Sequence, residues 1–179
     1  MFETTIHWVQ DITPHRLGLM ARPRGGESLC EEIASWQRAS VSMVVSLLES
    51  HEIRELELRE EASLCAERGI AFRQFPIPDR STPRSQRDVR ALIAELTAEL
   101  ASARSVAIHC RAGIGRTGLI AGCVLHALGV PEKDIFRLLS RSRGVAMPDT
   151  TEQADWVRKY ALDTIREQID QRSGFNPLS

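Results

Sequence analysis

The chain is predicted to fold as an α/β protein, with a central sheet of about five strands flanked by helices on both faces. Strand-like and helix-like segments alternate along its whole length. The run Val41-Ser42-Met43-Val44-Val45-Ser46-Leu47-Leu48 is dominated by β-branched residues and reads as a central strand. The segment 85–103 carries Val89, Leu92, Ile93, Leu96 and Leu100 on one helical face, with Arg and Glu opposite.

Taken in order, short strands are expected near residues 4–9 and 16–20. After Arg24-Gly25-Gly26 a helix is expected over 28–39, and then the central strand over 41–48. A helix over about 59–68 stops at Gly69, because glycine accepts the left-handed conformation that ends many helices. A strand over 70–75 leads into a segment punctuated by Pro76, Pro78 and Pro83, which cannot be helical. The amphipathic helix 85–103 precedes a buried strand at Ser105-Val106-Ala107-Ile108, and Leu119 to Leu125 continue as a helix. Pro131 sits at a favoured helix start for 131–142, and a last helix is expected over about 150–171. No repeat, low-complexity tract or linker interrupts the sequence. The expectation is therefore one domain, 1–179, with 172–179 as a flexible tail.

Composition is that of an ordinary globular domain, with 179 residues, 42% hydrophobic and 26% charged. The formal net charge of -1 gives no electrostatic case for nucleic acid or a membrane surface as partner. The start Met1-Phe2-Glu3-Thr4-Thr5-Ile6-His7 lacks the basic and apolar regions of a signal peptide, and no apolar run approaches the roughly 20 residues that span a bilayer. A cytoplasmic location is expected. Cys30, Cys65, Cys110 and Cys123 show no Cys-x-x-Cys pairing, so neither a zinc site nor a disulfide scaffold is implied.

The most informative stretch is His109-Cys110-Arg111-Ala112-Gly113-Ile114-Gly115-Arg116-Thr117-Gly118. It places Cys110 where a strand turns into a helix N-terminus, a point at which successive backbone N–H groups bind an anion unaided. The helix dipole, the N–H donors and a nearby arginine all favour the nucleophilic thiolate. Arg116 follows after five residues, far enough for the loop to curl back and present a planar fork to two phosphate oxygens. Gly113 and Gly115 allow positive φ and close backbone approach, and Thr117 can set a hydroxyl beside the sulfur.

Here the chain resembles the cysteine-dependent protein tyrosine and dual-specificity phosphatases, whose signature of His-Cys, five residues, Arg and then Ser or Thr is matched by His109 to Thr117. The resemblance implies the compact fold of that superfamily, with phosphate cradled by residues Arg111, Ala112, Gly113, Ile114, Gly115 and Arg116. It also implies a general acid on a loop upstream of the cysteine, for which Asp79 in Ile77-Pro78-Asp79 is the match. Its bland alternative is a turn or helix cap. Further matches at Arg22-Pro23, Val44 to Glu49 and Arg141-Ser142-Arg143-Gly144 make the chain look like bacterial relatives of the cyclin-dependent kinase-associated phosphatase. Gln153 matches the residue that orients the hydrolytic water, against the alternative that it braces the signature loop.

His109 is expected to hydrogen-bond backbone rather than transfer protons. Arg111 and Ile114 should line the pocket mouth, where lipid phosphatases with a similar loop place two lysines. Cys123 reads as core, with a redox partnership to Cys110 as the alternative.

The implied reaction is phosphate-monoester hydrolysis through a cysteinyl-phosphate, acting on phosphotyrosine and phosphoserine or phosphothreonine in proteins, with no cofactor or metal. Phosphate, sulfate or vanadate are expected ligands of the pocket. The alternatives are an inositol-phosphate or phosphoinositide phosphatase, a phosphoprotein-binding pseudophosphatase, and a thiol-based arsenate reductase or sulfurtransferase.

Overall fold

The computed structural model describes residues 4–173. Its strands are β1 (His7–Trp8), β2 (Arg16–Met20), β3 (Met43–Ser46), β4 (Ala71–Gln74) and β5 (Ser105–His109), in one sheet of order β1-β2-β5-β3-β4. β1 runs antiparallel to β2, while the pairs β2 with β5, β5 with β3 and β3 with β4 are parallel.

Because parallel strands need crossover helices, both faces of the sheet are covered, and β3 and β5 are buried along their whole length. Side chains still alternate between the faces. Leu17, Leu19, Met43, Val45, Val106 and Ile108 enter one core. Met20, Val44 and Ala107 enter the other.

The smaller core is closed by α1 (Leu29–Arg38), through Leu29, Ile33 and Trp36, and by Cys65 of α3 (Glu61–Glu67). The larger is closed by α4 (Gln86–Ala101), α5 (Gly115–Ala127), α6 (Glu132–Arg143) and α7 (Thr151–Ser173). The face Val89, Leu92, Ile93, Leu96 and Leu100 of α4 is buried, and the hydroxyl of Ser85 caps the helix by accepting from the Asp88 N–H at 3.2 Å. Every residue from Gly115 to Leu125 is buried, so α5 is a central helix enclosed on all sides.

Several expectations changed at their edges and one element was missed. The first strand contracts to His7–Trp8, and the helix expected over 28–39 is preceded by a 3-10 turn at Gly26–Ser28. The apolar run 41–48 keeps strand geometry only over Met43–Ser46 before the chain turns into an unanticipated six-residue helix, α2 (Ser50–Glu55). Glu49 and Glu52 form a reciprocal capping box at its start. α7 continues to Ser173, and residues 174–179 of the expected tail lie outside the described residues.

Candidate active site

β5 ends at His109 and α5 begins at Gly115, so residues 110–114 form the loop between strand and helix. Its strand end is fixed in register with Met20 of β2 and Ser46 of β3, and the His109 carbonyl accepts from the Leu47 N–H at 3.0 Å. Arg143 at the end of α6 holds the loop from outside. Its Nε donates to the Gly113 carbonyl at 3.2 Å and its Nη2 to the Ala112 carbonyl at 3.0 Å. With these carbonyls turned outward, the N–H groups of the same peptides face the opposite side, as an anion cradle requires.

The two loop glycines are needed for different reasons. Gly113 has φ +69, and a Cβ there would stand 2.2 Å from the Met20 carbonyl oxygen. Gly115 is helical, so the expectation of positive φ does not apply to it. What it permits is close approach, since a Cβ would lie 2.8 Å from Oε1 of Gln153 and 2.9 Å from Cβ of Asp149.

Cys110 is 3% exposed, at the floor of a cavity of about 160 Å³ whose lining includes Asp79, Arg111, Ile114 and Arg116. Larger cavities, of about 350 Å³ beside Pro76 and Pro83 and about 430 Å³ beside His15 and Pro131, contain no cysteine. The chemistry therefore belongs to the smaller cavity.

Arg116 is buried and carries several partners. Its Nη1 donates to Glu52 Oε2 at 2.6 Å and to the Ile77 carbonyl at 3.0 Å, and its Nη2 donates to Glu52 Oε1 at 2.9 Å. Nη2 also lies 2.9 Å from Oδ1 of Asp79. Burial opposes the guanidinium charge, but the Glu52 hydrogen bonds and the charges of Cys110, Glu52 and Asp79 outweigh it and hold Arg116 above its ordinary pKa. For Glu52, burial pushes the other way as well, yet the Arg116 and Glu49 contacts hold its carboxyl below the usual carboxylate range.

Glu52 is the residue that sequence reasoning missed. Its only signal was the capping box, which is weak with glutamate at the cap.

Asp79 reaches the same cavity from the proline-punctuated loop after β4, and its side chain is 58% exposed. That loop is tied to the start of α7. Gln153, fully buried, donates from Nε2 to the Ser81 carbonyl at 3.1 Å, and its Oε1 accepts from the Thr150 N–H at 3.2 Å. The amide nitrogen thus holds the Asp79 loop, while the amide oxygen caps the start of α7. Arg80, at φ +54, adds a 3.4 Å ion pair to Asp149.

Thr117 is buried, and its hydroxyl has no hydrogen-bond partner among the described residues, Cys110 included. His109 departs from expectation. Its ring finds no backbone partner; Nε2 instead lies 2.9 Å from Oε1 of Glu61, out of hydrogen-bond alignment, with both side chains buried. The ring also lies 6.4 Å from that of Trp36. A strand residue next to Cys110 must point to the opposite face, and there the α1 and α3 layer supplies a carboxylate rather than a carbonyl.

Cys123 is buried in the larger core, and burial raises its thiol pKa. Cys65 is pushed up to about 12 by burial and by the neighbouring Glu61 charge.

Solved structures share this architecture. The chain aligns over 92% of its length with 98% of kinase associated phosphatase, in a form whose catalytic cysteine is replaced by serine, at a TM-score of 0.83 and 20% identity. PTPMT1 in complex with PI(5)P aligns over 84% of this chain and 94% of its own, at 0.69 and 14%. The human tyrosine phosphatase-like serine/threonine/tyrosine-interacting protein aligns over 87% and 96%, at 0.68 and 14%. At these identities the likeness is one of fold. No curated protein matches the sequence. The family model described as "Polymorphic toxin system, DSP-PTPase phosphatase" matches residues 18–129, which run from within β2 to just past α5 and carry the whole cysteine loop, Glu52 and Asp79. By that match the chain belongs to the DSP-PTPase phosphatase family of polymorphic toxin systems, within the cysteine-dependent tyrosine and dual-specificity phosphatase superfamily.

Proposed function

We propose that the protein hydrolyses phosphate monoesters on proteins, phosphotyrosine and also phosphoserine or phosphothreonine, through a cysteinyl-phosphate. The observation that carries the reading is the convergence of Cys110, Arg116 and Asp79 on one cavity, with the Cys110 loop held so that its N–H groups face inward. A binding-only protein has no need of all three.

In the first step the Cys110 sulfur attacks phosphorus. The S–P bond forms as the P–O bond breaks, and Asp79 gives its proton to the departing oxygen. The loop N–H groups and Arg116 hold the charge on the equatorial oxygens. Asp79 lies 2.9 Å from Nη2 of Arg116, which is also a donor suited to a phosphate oxygen. Substrate therefore takes the place of Asp79 on Arg116, and the released carboxyl is free to take up the proton it delivers. In the second step water attacks phosphorus, Asp79 accepts its proton, and the sulfur leaves as thiolate with the free Thr117 hydroxyl available to it. Gln153 serves by holding the acid loop, and water orientation is the additional role it takes where its amide borders the cavity. No group outside the chain is needed for the electron count.

The test is release of inorganic phosphate from an aryl phosphate and from phosphopeptides, with acid quench and mass spectrometry to find phosphate on Cys110. Turnover with no phosphorylated Cys110 under any quench would remove the covalent intermediate. Absence of turnover with intact vanadate binding would favour a pseudophosphatase. No helix among the described residues is long and apolar enough to cross a membrane, so the expected substrates are not selected by a membrane-spanning anchor in this part of the chain.

A further inference from the structure

Three arginines line the active-site cavity, Arg80, Arg111 and Arg116, and each is already matched by carboxylate. Arg116 holds both oxygens of Glu52 and one of Asp79. Arg111 is gripped at two points by Glu55, Nη2 to Oε1 at 2.5 Å and Nη1 to Oε2 at 3.5 Å, and Glu52 lies 3.9 Å away. Arg80 pairs with Asp149 at 3.4 Å. The count at the pocket is three guanidiniums against four carboxylates.

The consequence follows from where each charge must go when a ligand enters. One phosphate dianion is accommodated by the loop N–H groups and by Arg116, because Asp79 can leave that arginine. A second phosphate on the same ligand has only Arg111 and Arg80 to turn to at the mouth. Both are capped. It would meet the carboxylates of Glu55 and Asp149 before it met an unshared cation, and like charges at an interface penalise the wrong partner.

Resting on the phosphatase reading above, we propose that this pocket selects an isolated phosphate monoester and discriminates against polyphosphorylated ligands, with Glu55 as a specificity-determining residue. Glu55 does not touch the reacting phosphate. It acts by occupying Arg111, the one loop side chain that could reach a second phosphate. The Arg111 contact holds the Glu55 carboxyl below the usual carboxylate range, so the cap is charged at neutral pH.

The experiment compares kcat/KM for a singly phosphorylated peptide, an aryl phosphate and inositol 1,4,5-trisphosphate, in wild type and in Glu55→Gln. Wild type should favour the two single esters by about tenfold or more. Glu55→Gln should raise kcat/KM for the trisphosphate roughly three- to tenfold, the scale of one partly exposed charge acting on a dianion, and leave the aryl phosphate within about twofold. Adding Arg111→Ala to Glu55→Gln should abolish that gain. A wild type that prefers the trisphosphate would overturn the proposal, and so would a Glu55→Gln variant that changes all three substrates alike.

Loss of turnover on every substrate would count against the catalytic reading instead. In that event the same preference is read without turnover, as protection of Cys110 from iodoacetate by inorganic phosphate against protection by the trisphosphate. Equal protection in wild type and variant would then refute the selection.

Discussion

Replacement of Glu52 tests the site where its electrostatics are most concentrated. Glu52 is 1% exposed and gives both oxygens to Arg116, itself buried, while one of those oxygens also accepts from the Glu49 N–H at 3.0 Å. Glu52→Ala leaves a guanidinium in the interior with Asp79 and two backbone carbonyls as its remaining partners. Removing one member of a buried ion pair costs about 3–5 kcal/mol, and loss of the capping box adds to it. For a chain of this size about 1 kcal/mol moves Tm by roughly 2–4 °C, so Glu52→Ala should fall by at least about 6 °C. Glu52→Gln keeps the shape and one acceptor and should lose less. Activity should drop further than stability suggests, by about 10² or more in kcat/KM, because an unanchored Arg116 cannot present its fork to phosphate.

The pH dependence supplies the check on mechanism. The Glu52 carboxyl is held below its ordinary value in the folded protein, so its contribution is complete above the unfolded pKa and is lost as pH falls through the folded one. The stability gap between wild type and Glu52→Gln, measured by denaturant titration, should therefore be full at pH 7 and narrow in acid, below the ordinary glutamate range. A gap that stayed constant from pH 7 into acid, or a Glu52→Ala variant with normal Tm and normal kcat/KM, would refute the account of Arg116 as a guanidinium anchored by charge.

Three other outcomes are expected. Cys110→Ser should lower kcat by several powers of ten yet retain phosphate-ligand binding, since the loop N–H groups and Arg116 remain; a variant with more than about a hundredth of wild-type turnover would remove the nucleophile assignment. Asp79→Asn should lower kcat by roughly 10² to 10⁴ for poor leaving groups, with a pre-steady-state deficit that shrinks as the leaving phenol becomes more acidic; an equal deficit for every leaving group would move the acid elsewhere. Glu61→Ala should destabilise the fold by about 1–3 kcal/mol, because it removes a buried side chain packed 2.9 Å from the His109 ring, and Glu61→Ala with wild-type denaturation would show that this approach contributes nothing.

How much of this was legible in the sequence depends on whether the signal was local. The strand Arg16–Met20, the amphipathic face of α4 and the turn of Cys110 into α5 were all visible, because each is set by periodicity or by a contiguous motif. The cysteine loop announced itself for the same reason, since an anion cradle needs its residues next to one another. What remained hidden were the partners that come from elsewhere in the chain. Glu52 lies 64 residues before Arg116, and Arg143 lies 30 after Gly113. Glutamate and arginine on short helices carry no mark of burial, and only the packing of α2 and α6 against the loop turns them inward. α2 itself was masked by the apolar run before it, where Leu47 and Leu48 extend the composition of a strand past the point where the backbone leaves the sheet.

The carboxylates around the loop share one physical task, which explains why they cluster on this end of the sheet. Three parallel strands, β2, β5 and β3, finish side by side at Met20, His109 and Ser46, and the cysteine loop emerges from the middle one. A loop that gathers N–H groups and a guanidinium toward one point builds up positive potential, which Cys110 alone does not offset. The neighbouring strand ends do. The segment after β3 delivers Glu52 and Glu55, the segment after β4 delivers Asp79, and the turn before α7 delivers Asp149. Of these, Asp79 alone sits on Arg116 as an exposed side chain on a loop, so it is the carboxylate that substrate can displace at least cost. The buried Glu52 stays. In the proposed reaction a single site would use Glu52 to hold its arginine in place and Asp79 to exchange with phosphate, and the exchange would free the acid at the moment a leaving oxygen needs its proton.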